Sequence, residues 1–319
     1  MDSNNWTERH KAFSASLDAD QVERRAMLEG LANIEAGLED ERISGFIDDQ
    51  LEDEGNSWGE RQAVLESLSG SVAEEIMRRV ELMNEAYPFV VSGGSLSYRR
   101  SITGVYEVCL AAASNPKGAA VGKPHASTLF EWIARDVLVL YMGTGARGFR
   151  TGWPVHASEG RGSRTKETLE LLERQCGEFN WNPAPGYPHD PDPQHLKDCG
   201  LDVVVWKPLP DGRLAQIFVL GQCACGKNDI NATKGRDLSM IRLANWLRPI
   251  SYAEPLRCFL VAHHIPNTIA LYELSQEAGL VLDRARLAML AESDPAVVKP
   301  AIGFDYHELA MFYAKQKAA

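Results

Sequence analysis

The segment from Gly200 to Asn228, GLDVVVWKPLPDGRLAQIFVLGQCACGKN, holds two apolar runs, Val203 to Trp206 and Ile217 to Leu220, parted by the turn signal PLPDGR. Short apolar runs bounded by Pro, Asp and Gly read as a β-hairpin. Two polar residues interrupt it: Asp202 opens the first strand and Gln222 closes the second, just before Cys-Ala-Cys-Gly-Lys. Pro210-Asp211-Gly212 suits a three-residue loop, with Pro presetting a type I turn and Gly in the left-handed bulge position. In that register Leu209 faces Arg213, Asp202 faces Leu220, and Gln222 sits diagonally across from Asp202 on the same face of the sheet. Diagonal neighbours lie roughly 7–8 Å apart, close enough to share one small ion. A two-residue loop would turn Gln222 to the other face, because one residue of slip inverts a strand. The plainer alternative is a carboxylate and an amide at strand ends, each hydrogen-bonded to backbone.

With 319 residues the chain suffices for one large or two ordinary domains. Apolar content of 45% is that of a globular protein. No apolar run approaches the roughly 18 residues of a membrane span, and the start, MDSNNWTERH, is polar rather than a basic region with an apolar core, so a cytoplasmic location without membrane attachment is expected. Six scattered cysteines in a chain of this size point to reduced thiols. The net charge of −11 excludes a surface that is basic all over, though a local basic groove can sit on an acidic protein.

Up to about residue 85 the chain is rich in Glu, Asp, Leu and Ala, and the spacing predicts helices. Leu28 to Leu38 and Phe46 to Leu51 are amphipathic, and Ser71-Val72-Ala73-Glu74 has the form of a capping box opening a helix to about Glu85. The acidic run LEDERISGFIDDQLEDE reads as a solvated helical face. Residues 1–118 are therefore expected to form a mainly helical N-terminal accessory region, with residues 119–319 as the main domain. Tyr87 to Val91 followed by Ser92-Gly93-Gly94 reads as a strand and tight turn, and Ile102 to Ala113 as a helix.

Thr128 to Met142, TLFEWIARDVLVLYM, is a strongly apolar helix stopped by Gly143. Glu131 lies in its first turn, either closing a Thr128-x-x-Glu131 capping box or facing the hairpin as a third acidic group. The following GTGARGFRTGWPVHASEGRGSRTK lacks a Walker ending and a GxGxxG fingerprint. It supplies flexible backbone with Arg147, Arg150, Arg161, Arg164 and Lys166, which suits phosphate contacts and equally an ordinary surface loop. Cys176, Cys199, Cys223 and Cys225, with His189 and His195, lack the CxxC knuckles of structural zinc sites and read as free thiols. Further on, Leu238 to Trp246, Ile265 to Leu274, Arg284 to Leu290 and a segment from Tyr306 read as helices, and Pro255 to Ala262 as a strand. Helix, strand, hairpin, helix and strand in this order make an α/β layer.

The order of Glu131 on a helix, Gly200-Leu201-Asp202 opening a strand, and an apolar strand ending in Gln222 with Lys227 beyond it resembles the PD-(D/E)xK, or restriction-endonuclease-like, nuclease superfamily. More narrowly, Tyr87-Pro88-Phe89, Phe130-Glu131, Gly221 to Asn228 and Asp283-Arg284 resemble small predicted nucleases of prokaryotic phage-defence systems. The resemblance covers roughly residues 120–250. It implies a mixed central sheet flanked by helices and a divalent-metal-dependent endonuclease acting on DNA in antiviral defence, alongside a protein partner from a defence operon. It further implies Mg²⁺ or Mn²⁺ held by Asp202, Gln222 and Glu131, with Lys227 orienting the attacking water and Arg147, Arg150, Arg161, Arg164 and Lys234 gripping DNA. The chain departs from the family pattern at Gln222, where an acid is usual, and at Ala224, where a lysine is usual, so Lys227 or Lys234 has to stand in. The alternative is a nuclease-fold subunit that no longer cuts and serves as a protein-interaction scaffold.

Overall fold

The computed structural model describes residues 3–34, 58–114, 122–161, 165–187, 200–226, 238–251, 253–296, 298 and 304–316. The N-terminal part contains α1 (Ser3–Glu29), β1 (Leu31–Asn33), α2 (Trp58–Met83), β2 (Phe89–Ser92), β3 (Ser95–Tyr98) and α3 (Val105–Ala113). There follow α4 (Ala126–Met142), β4 (Arg147–Arg150), α5 (Thr165–Cys176), β5 (Phe179–Trp181), β6 (Val203–Lys207), β7 (Ile217–Ala224) and α6 (Met240–Leu243). The chain then forms β8 (Leu247–Pro249), β9 (Leu256–Val261), α7 (Thr268–Ala278), β10 (Leu280–Leu282), α8 (Arg284–Ser293) and α9 (Tyr306–Ala314).

A mixed five-stranded sheet, in the order β10-β9-β7-β6-β4, organises the molecule. β4 runs antiparallel to β6 and β6 to β7, whereas β7, β9 and β10 are parallel neighbours. Strand alternation divides the core into layers. Val203 and Val205 join the cluster formed with α3, α4, α8 and α9, while Val204 and Trp206 point to the opposite face, against α5 and the β5–β8 ribbon. Both faces of β6 are thus covered, which is why VVVW is uninterrupted by polar residues. At Gly221 in β7, an added Cβ would strike the side chains of Val203 and Leu260, so glycine is what lets β6 and β9 close in on this strand. The protein is therefore a mixed α/β structure with a helix-flanked mixed sheet and an N-terminal helix.

The hairpin forms in a different register from the one its turn predicts. Lys207 pairs with Ile217 and Val204 with Leu220, two residues away from the expected alignment, and Asp202 is not opposite Leu220. The expected turn is present, with Gly212 N–H donating to Leu209 O at 2.9 Å. The ladder does not reach it, because Pro208 and Pro210 supply no N–H and the returning chain bonds elsewhere. Ala215 N–H donates to the Glu178 carboxylate at 2.8 Å, and Gln216 Nε2 donates to Cys176 O at 3.2 Å.

Other expectations need correction in the N-terminal part. The helix expected from Leu28 ends at Glu29, and Leu31–Asn33 pairs instead with Ser95–Ser97, so tertiary pairing overrides the helical pattern. Ser71 caps nothing: α2 runs through it, and its hydroxyl donates to Ser67 O. The pattern from Leu238 to Trp246 yields only the single turn of α6. Phe46 to Leu51, the acidic run at 39–54 and the domain boundary at 118 lie outside the described residues. The apolar cluster that includes α4 extends from Ala19 to Ala314, drawing side chains from both sides of that boundary.

A buried ionic network ties α1 to the rest of the chain. Arg284 donates to both oxygens of Asp20 at 2.7 Å, and Arg79 donates to Asp20 at 2.8 Å and Glu23 at 2.7 Å. Glu23 also accepts the hydroxyls of Tyr87 at 2.6 Å and Tyr106 at 2.8 Å. Burial alone would raise the Asp20 carboxyl pKa, but the two guanidiniums outweigh it and hold that carboxyl well below the usual range. Arg284→Ala should leave Asp20 short of a partner and cost about 3–5 kcal/mol, read as a lower urea midpoint; an unchanged midpoint would show that the network contributes nothing.

Candidate functional site

Glu131 is buried in α4 beside the sheet, and its carboxylate accepts Arg150 Nε at 2.5 Å. The N-cap of α4 is His125, without a side-chain cap bond, so Glu131 is not closing a capping box. Arg150 ends β4 opposite Val203, and this pairing brings its guanidinium over the start of β6. The remaining nitrogens hold Glu159 by 2.9 and 3.0 Å bonds, Pro154 O at 3.0 Å and Thr128 Oγ1 at 3.4 Å. Arg161 completes the cluster, donating to Gly152 O at 2.6 Å and pairing with Glu159 at 3.3 Å.

Asp202 occupies the first residue before β6 and is half-buried. Its N–H donates to Gly221 O at 2.9 Å although Gly221 is the register partner of Val203, a bulge-like slip at the strand's opening. Such slips re-aim a side chain. Here the Asp202 carboxylate accepts Cys223 N–H at 2.7 Å, and its carbonyl accepts Thr151 N–H at 2.8 Å and Gly152 N–H at 3.1 Å. These bonds fold the 151–154 loop back so that Gly152 lies directly on the Glu131 carboxylate, where an added Cβ would collide with Oε2.

Glu131 and Asp202 consequently sense each other's charge. Burial, with repulsion from Asp202 and Glu159, pushes the Glu131 pKa up to about 8 against the opposing pull of Arg150. The Cys223 thiol is likewise pushed far up by burial and by both carboxylates, which locates it in the same microenvironment and leaves it protonated.

The sequence-derived site is only partly assembled. Glu131 lies near enough to Asp202 to feel its charge, but Gln222 alternates with Cys223 along β7 and sends its amide oxygen to Leu238 N–H at 3.2 Å, on the face covered by α5. Lys227, Lys234 and Arg164 lie outside the described residues. Arg150 and Arg161 do not face outward to grip DNA: their side chains are 1% and 4% exposed, turned inward because two carboxylates satisfy them there. Arg147 is exposed at the far end of β4. The sequence reading missed Glu159, whose signal was its place as the lone acid in the arginine-rich stretch 143–166, and it missed the loop of Thr151 and Gly152.

As a donor set for Mg²⁺ or Mn²⁺, the oxygens of Glu131 and Asp202 have the right hardness, and their mutual repulsion is what a cation relieves. Gln222 adds nothing to that pair, and among the described residues no group of three or more His, Cys, Asp or Glu side chains could hold a metal ion. Comparison with protein-family models, curated proteins and solved structures finds no match. Among the described residues no helix is long and apolar enough to cross a membrane.

Two outcomes are expected. Because Glu131 is held above its unfolded value of 4.5, its contribution favours the fold at low pH and is lost as pH rises towards about 8. Glu131→Gln should flatten the fall in melting temperature across that window, and an unaltered pH profile would show that Glu131 is not perturbed. Gly152→Ala should destabilise the protein by about 1–3 kcal/mol through the collision with Glu131. Combining it with Glu131→Ala should recover part of the loss; no recovery would contradict the close approach.

Proposed function

We propose that this chain is a nuclease-fold protein that hydrolyses DNA phosphodiester bonds with a divalent cation held by Asp202 and Glu131, in prokaryotic antiviral defence. The observation that carries this reading is the buried Glu131 carboxyl near the half-buried Asp202, its proton affinity raised by burial and by the Asp202 charge, a charge that a divalent cation would offset. Support comes also from the element order, in which the helix bearing Glu131 precedes the β6–β7 hairpin, the order on which the superfamily resemblance rests.

Each side chain has a defined task under this reading. Cys223 N–H orients the Asp202 carboxylate, and Arg150 fixes the rotamer of Glu131. Gly152 brings the loop backbone onto Glu131 and narrows access for water from that side. A bound Mg²⁺ or Mn²⁺ would polarise the scissile phosphate and lower the pKa of the attacking water. The outward-facing Arg147 remains available for the flanking DNA backbone.

Two observations favour the second reading, a subunit that no longer cuts and binds a protein partner of a defence complex. Arg150 already neutralises Glu131, and the Gln222 oxygen is committed to Leu238. The two readings part in a plasmid-nicking assay with Mg²⁺ or Mn²⁺. The nuclease should nick plasmid, and Asp202→Ala should lose at least about a hundredfold of that rate, by analogy with removing one electrostatic stabiliser. Nicking that survives Asp202→Ala, or a parent that never nicks, would contradict the nuclease reading.

A further inference from the structure

The loop after β4 is anchored on both sides of Trp153, through Thr151, Gly152 and Pro154, yet it leaves its largest side chain outside. Thr151 N–H and Gly152 N–H donate to Asp202 O at 2.8 and 3.1 Å, and Thr151 Oγ1 donates to Leu201 O at 2.7 Å. Arg161 holds Gly152 O at 2.6 Å and Arg150 holds Pro154 O at 3.0 Å. Between these clamps the Trp153 residue is 56% exposed. A single exposed apolar side chain needs no explanation on a loose loop. This one is different, because its neighbours on both sides are fixed and because Gly152, one residue of about 3.8 Å away, rests on the Glu131 carboxylate. A large aromatic side chain left wet on an anchored backbone, one residue from the Gly152–Glu131 contact, has a use if a flat partner lies on it, and every nucleobase presents such a face.

We propose that Trp153 is a stacking platform for an unpaired nucleobase next to the Asp202–Glu131 site, which makes single-stranded DNA the substrate class. This rests on the nuclease reading for what happens at the carboxylates, whereas the stacking itself does not need catalysis. Bases inside a duplex have no free face to offer the indole, so the platform discriminates by strandedness and tolerates sequence. Trp153 is a binding and positioning residue, since the carboxylates, not the indole, lie at the reacting atoms.

The test is fluorescence anisotropy of the full-length protein with fluorescein-labelled oligo(dT), and with a labelled duplex of the same length, in EDTA so that no cutting intervenes. Parent, Trp153→Ala and Trp153→Phe are compared, with melting curves to show that an exposed position was changed without unfolding. The expected result is about a tenfold weaker affinity of Trp153→Ala for oligo(dT), near-parental affinity of Trp153→Phe, and no change with duplex. Equal oligo(dT) affinity in parent and Trp153→Ala, an equal loss on duplex, or no binding by the parent would overturn the proposal. Trp153-dependent oligo(dT) binding without any nicking would uphold the platform and refute the nuclease reading. Asp202-dependent nicking with oligo(dT) binding indifferent to Trp153 would do the reverse.

Discussion

The guanidinium of Arg150 is the contact on which the site's geometry depends. It is buried, and it joins three pieces of chain that no continuous element connects: α4 through Glu131, the 3-10 turn at 157–159 through Glu159, and the 151–154 loop through Pro154 O. Burial works against a charged guanidinium, but the two carboxylates more than offset it and hold the Arg150 pKa above its ordinary value. A lysine could not replace it, because the bonds to Glu131 and Glu159 use separate nitrogens of one planar fork. Arg150 is thereby matched to its two carboxylates, while the buried Arg161 Nε beside it has no partner among the described residues and Glu131 still feels the Asp202 charge.

That tension explains how the surroundings are built. β7 approaches β6 closely at Gly221, and β6 opens with a slip that re-aims Asp202 to accept Cys223 N–H. The loop backbone then folds onto Glu131 at Gly152, excluding a side chain from the space beside the carboxylate. Farther away, α1 is fastened by Asp20 and Glu23 to Arg79 and Arg284. The same network connects to the sheet, since Arg284 Nε donates to Ala262 O and the adjacent His263 shares a hydrogen bond with Cys225 O at the end of β7. Tyr87 and Arg284, two residues that carried the sequence resemblance, meet on this network.

The sequence was most readable where a period and a stop signal coincided. The α4 pattern with Gly143 after it, the strand and turn leading into Gly93-Gly94, and the apolar strand β6 follow from local patterning and appear as expected. It was least readable where distant groups competed for the backbone. Nothing near Ala215 announces that Glu178 will take its N–H and shorten the hairpin ladder, and the pairs that remain sit two residues from the expected register. Leu31–Asn33 reads as helix until β3 is beside it. For the site, Glu131 and Asp202 could be named because carboxylates in apolar segments are conspicuous. The inward turn of Arg150 could not, since a cation in a glycine-rich stretch looks alike whether it faces solvent or two buried acids.

The electrostatic sharing between Glu131 and Asp202 can be measured without assuming any reaction. The carbon-13 shift of the Glu131 side-chain carboxyl, followed against pH in the parent and in Asp202→Asn, reports its proton affinity with and without the neighbouring charge. Titration well above the ordinary glutamate range in the parent, and a downward move in Asp202→Asn, is the expected result. Identical titration curves in the two proteins would contradict a shared site.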